Sequence, residues 1–303
     1  MSDISALHQA LVDKLKQTRS IRTPRIEAAF RAVPRPLFVP GVPVEKVYLD
    51  EAIVTKRLDG QPVSSSSQPA VMAIMLEQLD LQPGDSVLEI GAGTGYNAAL
   101  ISHIVGSTGQ VIAIDIDKDI TENARQHLAE AGFDKVQVIC TDGGFGYPNA
   151  APYDRIILTV GAWDIAPAWR EQLKPNGRLV LPLTLQEDVQ VTVAFEEADG
   201  YLISISAHPC GFLKLRGALA EPQELKKTQK SISLRLNKLL FQTFWFLPVP
   251  IQLKLKLYNL MTFGHSSLEG LQIRAYSQET DYRPSANESV IAKRWTRLVL
   301  DWQ

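Results

Sequence analysis

Residues 87–96 read Val-Leu-Glu-Ile-Gly-Ala-Gly-Thr-Gly-Tyr, an apolar run that leads directly into three alternating glycines. A helix-competent stretch follows at 97–105. Because glycine has no Cβ, a chain that leaves a buried strand in this way brings its backbone close to a ligand. The carboxylate of Glu89, two residues before the first glycine, can accept hydrogen bonds from an amine of that ligand. The stretch therefore predicts a small-molecule site at the end of a buried strand.

The order of the glycines separates two kinds of site. Dinucleotide-binding folds use Gly-x-Gly-x-x-Gly, which would require glycine where Tyr96 stands. The order acid-x-Gly-x-Gly-x-Gly is instead the pattern of S-adenosylmethionine sites in class I methyltransferases. A tight turn that serves only the packing of helix on sheet is the alternative interpretation.

The residues around this stretch alternate between strands and helices. Short runs rich in Val and Ile, separated by helices, predict a parallel sheet buried on both faces, with right-handed crossovers that give a doubly wound α/β domain. The predicted strands cover 86–90, 110–115, 136–140, 154–160 and 177–183, and the helices cover 96–105, 118–131 and 166–173. Residues 189–195 and 201–207 alternate around Asp199-Gly200, which predicts an antiparallel hairpin at the sheet edge.

The N-terminal 80 residues are predicted to precede the sheet as helices and a substrate loop. Apolar residues at three-to-four spacing predict helices over 3–16, from Thr23-Pro24 to about Val33, and over 70–79. A proline-punctuated connector at 34–62 contains one possible strand near 52–55, and a run of four serines follows at 64–67.

The C-terminal region differs in character from the rest of the chain. Residues 221–260 contain seven Lys or Arg and two Glu, with a dense apolar and aromatic stretch at 239–247. Such a region could contact an acidic peptide, an anionic membrane surface or another subunit, or it could be an accessory helical cap with solvated lysines. A last helix is predicted from about Asn287 to Trp302. We therefore divide the chain into a domain over 1–217 and a partly helical accessory region over 218–303.

The composition of the 303 residues is that of a globular protein, with 45% hydrophobic and 21% charged residues. The net charge of −2 gives no reason to expect a nucleic-acid partner. The two cysteines and five histidines show no metal-ligand spacing, so no metal site is predicted. There is no apolar signal segment and no stretch of 18 uncharged apolar residues, so we expect a cytoplasmic protein without a membrane span. The oligomeric state stays open.

Three successive strand ends carry groups that fit an adenosine-type ligand. In open α/β sheets, ligands bind outside the carboxyl ends of the strands. The glycine loop Gly91–Gly95 follows the first strand, and Asp115 closes the second, where a carboxylate can accept both ribose hydroxyls. Asp142-Gly143 follows the third, where a carboxylate can accept from an adenine amino group. A lone strand-end Asp is more often a cap or turn former, but the combination predicts a cofactor site.

Several segments, in order, resemble the protein-L-isoaspartate O-methyltransferase family. They are residues 87–96 and the segments 32–40 (Ala-Val-Pro-Arg-Pro-Leu-Phe-Val-Pro), 60–64 (Gly-Gln-Pro-Val-Ser), 142–146 (Asp-Gly-Gly-Phe-Gly), 151–154 (Ala-Pro-Tyr-Asp), 172–180 (Gln-Leu-Lys-Pro-Asn-Gly-Arg-Leu-Val) and 212–217 (Phe-Leu-Lys-Leu-Arg-Gly). The resemblance implies a class I, Rossmann-like methyltransferase fold and S-adenosylmethionine as cofactor, with S-adenosylhomocysteine as product. It implies cofactor contacts from Glu89, Gly91, Ala92, Gly93, Thr94, Gly95, Tyr96, Asp115, Ile116, Asp142 and Gly143.

The family esterifies a carboxylate of an abnormal aspartyl residue, and it places a serine of a Gly-Gln-Thr-Ile-Ser-Gln-Pro loop over the reacting centre. Here the loop departs from that pattern, because Pro62 replaces the threonine and three residues are extra. The Gly-Gln side of the loop aligns Ser64 with the functional serine, and the Gln-Pro side aligns Ser67. Either serine is a candidate catalytic residue.

The resemblance leaves three hypotheses for function. The first is repair of isoaspartyl residues in many proteins. The second is a divergent branch that methylates a normal Asp of a ribosomally made precursor peptide, after which the ester cyclises to a succinimide. The serine run and the long C-terminal region resemble that branch. The third is a peptide-binding adaptor without catalysis, which the intact acidic cofactor residues disfavour.

Overall fold

The computed structural model describes residues 4–185, 189–198, 201–221, 271–277, 289–292 and 296–302. Seven α-helices lie within them: α1 Ile4–Gln17, α2 Pro24–Ala32, α3 Val44–Val47, α4 Pro69–Leu79, α5 Tyr96–Val105, α6 Lys118–Glu130 and α7 Pro167–Glu171. Twelve strands lie in the same residues: β1 Ile53–Leu58, β2 Gln61–Ser66, β3 Ser86–Ile90, β4 Gln110–Asp115, β5 Gln137–Cys140, β6 Tyr153–Leu158, β7 Leu173–Thr184, β8 Gln190–Ala198, β9 Tyr201–Cys210, β10 Leu271–Ser277, β11 Ser289–Ala292 and β12 Thr296–Trp302.

Ten of these strands form one sheet in the order β11-β12-β10-β9-β8-β7-β6-β3-β4-β5. Strands β5, β4, β3, β6 and β7 are parallel, and the pairings from β7 to β11 are antiparallel. The predicted parallel sheet and its edge hairpin, β8–β9, are confirmed. The chain runs outward from β3 to β4 and β5, then returns to place β6 on the other side of β3. This reversal puts a crevice at the carboxyl ends of β3 and β6.

The sheet is buried on both faces because alternate residues of each strand enter two separate cores. Val87 and Val111 pack with the N-terminal helices, α5 and α6. Leu88 and Ile112 pack on the opposite face with Trp169 of α7. Successive side chains of a strand point to opposite faces, so a strand that is apolar throughout contributes alternate residues to each core. The parity also fixes Glu89, which lies on the same face as Val87, toward α5.

The serine run forms a strand, so the prediction of a loop at 64–67 is wrong for its first three residues. Strand β2 contains Ser64, Ser65 and Ser66 and pairs antiparallel with β1 in a separate two-stranded sheet. The serines pair with Ile53, Val54 and Lys56 of β1, the strand suggested near 52–55. This pairing supplies the backbone hydrogen bonds of β2, which the composition of the serine run does not predict.

The predicted helix from about Asn287 to Trp302 is also wrong. The described residues there form β11 and β12, and β12 pairs with β10, which pairs with β9. Residues 296–302 read Thr-Arg-Leu-Val-Leu-Asp-Trp. Their partly alternating apolar and polar order fits a strand at least as well as a helix. The described part of the C-terminal region therefore extends the main sheet, and the predicted basic segment at 221–260 lies outside the described residues, apart from Glu221.

Candidate active site

A cleft of about 860 Å³ lies over the carboxyl ends of β3, β4 and β6. Its walls come from the serine strand, the glycine loop, the end of β4 and the segment 209–216. This is where the strand order reverses, the position at which open α/β sheets bind ligands. Of the predicted cofactor residues, the cleft brings together Glu89, Gly91, Ala92, Gly93, Thr94, Tyr96, Asp115, Ile116 and Gly143.

The glycine loop requires glycine at two positions for different reasons. Gly91 has φ +104°, and a Cβ there would lie 2.8 Å from Thr159 Oγ1. Gly93 has φ +52°, and a Cβ there would lie 3.5 Å from the carbonyl oxygen of Ser65. Thr159 therefore leaves no room for a side chain at Gly91, whereas the contact at Gly93 is an ordinary one and the positive φ is what favours glycine there. The backbone of the loop forms part of the cleft wall. Gly95 precedes α5 as its cap residue.

Glu89 is fully buried and only half satisfied. Asn97 Nδ2, in the first turn of α5, donates to Glu89 Oε1 at 2.8 Å. Glu89 Oε2 and Asn97 Oδ1 have no hydrogen-bond partner among the described residues, and both residues line the cleft. Burial raises the pKa of Glu89 to about 8. Two buried oxygens without donors form a place where a cationic amine would restore both hydrogen bonds and charge.

Asp115 ends β4 beside the glycine loop. Its Oδ2 accepts from the backbone N–H of Gly93 at 3.2 Å, and its Oδ1 accepts from the N–H of Asp117 at 3.3 Å. Burial raises the pKa of Asp115, against these two hydrogen bonds. The carboxylate keeps lone pairs that can accept from a diol. Ile116, 37% exposed, adds an apolar surface next to it.

Asp142 is not among the residues that line the cleft. Its Oδ1 accepts from the N–H of Gly144 at 2.8 Å, and its Oδ2 accepts from the N–H of Ala218 at 2.7 Å. The side chain caps a short 3-10 helix over 143–145 and holds the chain at 217–218. The contacts of Asp142 are therefore those of a helix cap, the alternative that the sequence left open. A contact between Asp142 and adenine stays a prediction. Gly143 itself lies in the cleft wall.

The four serines differ in their surroundings. Ser64 and Ser66 are buried, and Ser65 and Ser67 are partly exposed. The hydroxyl of Ser64 accepts from Thr55 Oγ1 at 3.1 Å. That of Ser66 lies 3.4 Å from the guanidinium of Arg35.

Arg35 supports the serine run from behind the cleft, a role that the sequence did not indicate beyond the place of Arg35 in a matching segment. The side chain is fully buried, and burial lowers its pKa. Its guanidinium donates to the carbonyl oxygens of Val47, Leu49, Glu51, Ser66 and Ser67. One side chain thereby fixes the end of the serine run against the turn before β1.

Asp117 joins two elements beside the cleft, which the sequence also did not reveal. It pairs with Lys56 of β1 at 3.1 Å and with Arg216 at 2.8 Å. Lys56 also contacts Asp119 at 2.7 Å. Arg216 and Lys56 hold the pKa of Asp117 below its ordinary value. The ion pairs connect the β1–β2 hairpin to the segment 209–216 next to Asp115.

The part of the chain that the structure describes holds no candidate metal site and no candidate membrane span. No three His, Cys, Asp or Glu side chains lie together as metal ligands in this part of the chain. No helix among the described residues is both long and apolar enough to span a membrane.

Comparisons with known proteins agree with this geometry. Protein-L-isoaspartate O-methyltransferase of Methanopyrus kandleri is 38% identical over 210 residues, which cover 69% of this chain and 91% of the relative. Protein-L-isoaspartate O-methyltransferase 2 of Archaeoglobus fulgidus is 41% identical over 181 residues, 60% of this chain and 80% of the relative.

Two solved structures share the fold. One protein-L-isoaspartate O-methyltransferase aligns with a TM-score of 0.66 and 26% identity over 98% of this chain and 88% of its own. A Plasmodium falciparum protein, described as a putative protein-L-isoaspartate O-methyltransferase in complex with S-adenosyl-L-homocysteine, aligns with a TM-score of 0.61 and 18% identity over 69% of this chain and 98% of its own. A sequence profile described as protein-L-isoaspartate(D-aspartate) O-methyltransferase matches residues 6–219. The chain therefore belongs to the protein-L-isoaspartate(D-aspartate) O-methyltransferase family.

Proposed function

We propose that this protein uses S-adenosylmethionine to methylate the carboxylate of isoaspartyl residues in proteins or peptides. The family match over residues 6–219 supports the reaction class. The observation that carries the proposal to this chain is the pair of buried, unpartnered oxygens of Glu89 and Asn97 beside the glycine loop. An amino acid ammonium fits these oxygens, and an adenosine fits the rest of the cleft.

The residues present fit the cofactor in three places. Glu89 and Asn97 would take its amine, Asp115 would take its ribose hydroxyls, and Ile116 with Gly143 would lie along its base. The backbone of Gly91–Gly95 allows close approach because side chains are absent there. When bound, S-adenosylmethionine supplies an electrophilic methyl group.

The substrate carboxylate requires no general base, since its ordinary pKa near 4 leaves it ionised at neutral pH. The described wall of the cleft accords with this, because it contains no histidine. Burial raises the pKa of Cys210, which lies in the wall, to about 12, so its thiol stays protonated. The contribution of the chain is then to orient the carboxylate and to exclude water.

The peptide-maturation hypothesis rests on the serine run 64–67, in which four consecutive serines replace the shorter segment of the family. The C-terminal region does not favour it. A solved protein-L-isoaspartate O-methyltransferase aligns over 98% of this chain, so a region of this length also occurs in a protein of that name.

A methyl-transfer assay distinguishes the hypotheses. The full chain is incubated with methyl-labelled S-adenosylmethionine and two peptides that differ only by Asp or isoAsp at one position. We expect base-labile label on the isoAsp peptide alone. Label on the Asp peptide alone would support maturation, and label on neither, with no heat of S-adenosylhomocysteine binding by calorimetry, would support the adaptor.

A further inference from the structure

The backbone of the glycine loop Gly91–Gly95 is fixed by side chains from several elements. Glycine loses more conformational freedom on folding than any other residue, so a loop with three glycines needs outside contacts to keep one shape. Thr159 Oγ1 donates to the carbonyl oxygen of Gly91 at 2.6 Å, and Asp115 accepts from the N–H of Gly93. Both side chains line the cleft, so the first half of the loop is held from within it.

The second half of the loop is held from behind by α6. Nδ1 of His127, in the last turn of α6, lies 3.1 Å from the carbonyl oxygen of Thr94. Because a carbonyl oxygen only accepts, Nδ1 carries the hydrogen and donates it. A Cβ on Gly95 would lie 3.1 Å from Leu128 Cγ, so the helix also packs closely against the loop. Helix α6 therefore supports the end of the loop, directly before α5.

The imidazole of His127 has a fixed place on the far side of the loop from the cleft. Thr94 lines the cleft and also a second cavity of about 510 Å³ beside α6, whereas His127 lines the second cavity and not the cleft. The side chain is partly buried, and the ring of Phe38 lies edge-on to it with the ring centroids 6.4 Å apart. His127 can therefore influence a ligand in the cleft only through the loop.

We propose that His127 is a positioning residue that keeps the glycine loop in the conformation that binds S-adenosylmethionine. This deepens the proposed function, and it rests on that function for the kinetic part of its test. The hydrogen bond from His127 keeps the carbonyl oxygen of Thr94 turned toward α6 and away from the cleft. A loop that is competent for only part of the time binds its ligand more weakly by that fraction. The hydrogen bond therefore raises the affinity for cofactor without any contact between His127 and the cofactor.

Substitutions in the full chain separate the hydrogen bond from the packing of the ring. His127→Phe keeps a ring beside Phe38 and removes the donor. His127→Asn removes the ring and keeps a donor, since its amide nitrogen stands about where Nδ1 does. Calorimetry with S-adenosylhomocysteine and thermal unfolding are carried out on both variants. His103→Phe is the matched control, because His103 is an exposed histidine in the last turn of α5.

We expect His127→Phe to bind S-adenosylhomocysteine about 3- to 10-fold more weakly than wild type, which corresponds to the loss of one neutral hydrogen bond. His127→Asn and His103→Phe should stay within about twofold of wild type. In kinetics on the isoAsp peptide, His127→Phe should raise KM for S-adenosylmethionine and leave KM for the peptide unchanged, because the loop serves the cofactor. A residue that only stabilises the fold would change the melting temperature and leave this affinity as it is.

Equal affinities of wild type and His127→Phe would overturn the inference, and so would a loss in His127→Asn as large as the loss in His127→Phe. Failure of the proposed function gives a different result. Wild type that binds S-adenosylhomocysteine but labels neither peptide would refute the proposed function, and the affinities of the two variants would still decide the role of His127. Wild type that does not bind S-adenosylhomocysteine would overturn both proposals.

Discussion

Glu89 illustrates how a single buried group can cost stability and serve binding. Its pKa in the folded protein, about 8, lies above the ordinary value of 4.5, because burial disfavours the carboxylate. The folded state therefore binds the proton more tightly than the unfolded state. The stability that this contributes is complete below pH 4.5 and is lost as the pH rises through about 8.

Glu89→Gln should remove this dependence. Without cofactor, wild type should lose thermal stability between about pH 4.5 and about pH 8, and the variant should lose less and be the more stable protein at the higher pH. The variant should also bind S-adenosylhomocysteine more weakly, since an amide cannot balance an ammonium. Thermal unfolding at both pH values and calorimetry measure these effects. Parallel pH dependence in the two proteins would contradict the buried-carboxyl account.

Asp115→Ala tests the ribose contact. We expect affinity for S-adenosylhomocysteine to fall by about 1–3 kcal/mol, the usual loss for a charge-assisted hydrogen bond. Asp119→Ala is the matched control, because Asp119 is a nearby acid that pairs with Lys56. Calorimetry on both variants gives the comparison. Equal affinities for Asp115→Ala and wild type would show that the ribose is held elsewhere.

Residues whose partners are local could be predicted from the sequence, and residues with distant partners could not. Glu89 and Asp115 stand at strand ends beside the glycine loop, so their position in the cleft follows from strand order. Asp142 stands at an equivalent strand end, yet one of its partners is the N–H of Ala218, which is 76 residues away. Asn97 had a usable signal, since it is a polar residue in the first turn of a mostly apolar helix, directly after the glycine loop.

Arg35 acts at the scale of elements, because its guanidinium joins the turn before β1 to the end of the serine strand. Arg35→Lys should destabilise the protein by about 2–4 kcal/mol, since an ammonium cannot reach carbonyl groups spread over two segments. The surface variant Arg31→Lys should cost at most about 0.5 kcal/mol. Urea denaturation measures both. Similar free energies of unfolding for the two variants would refute this role.

The ion pairs of Asp117 connect two walls of the cleft, and they are partly exposed. Their contribution to the free energy of unfolding should therefore be small, about 0.5–1 kcal/mol. Asp117→Asn should speed dissociation of S-adenosylhomocysteine several-fold in stopped-flow experiments, and salt should speed it more in wild type than in the variant. Glu122→Gln, which removes an exposed pair with Lys118, is the control. A dissociation rate unchanged by Asp117→Asn would show that these ion pairs do not help to hold the two walls together around the ligand.

The sequence predicted best the strands whose apolar pattern follows directly from burial. The runs of Val and Ile in β3, β4 and β6 are apolar on both sides because helices cover both faces. The serine strand carries no such pattern, since its pairing with β1 and its contacts with Arg35 determine its conformation. Strand β12 alternates only in part, so its sequence pattern does not separate a strand from the predicted helix, and its pairing with β10 determines its conformation.

At the scale of the whole molecule, one sheet connects the cofactor cleft to the C-terminal strands. The parallel half of the sheet places three strand ends in one crevice, and the antiparallel half continues through β8 and β9 to β12. The division into residues 1–217 and 218–303 stays a prediction. The described strands of the second part share the sheet of the first, so the two parts are structurally continuous at β9 and β10.

A crystal structure with S-adenosylhomocysteine tests the central claim most directly. The account predicts the ligand in the cleft at the ends of β3, β4 and β6, with its amine against Glu89 Oε2 and Asn97 Oδ1 and its ribose against Asp115. A ligand bound elsewhere, or its amine directed away from Glu89 with both buried oxygens still unpartnered, would contradict it.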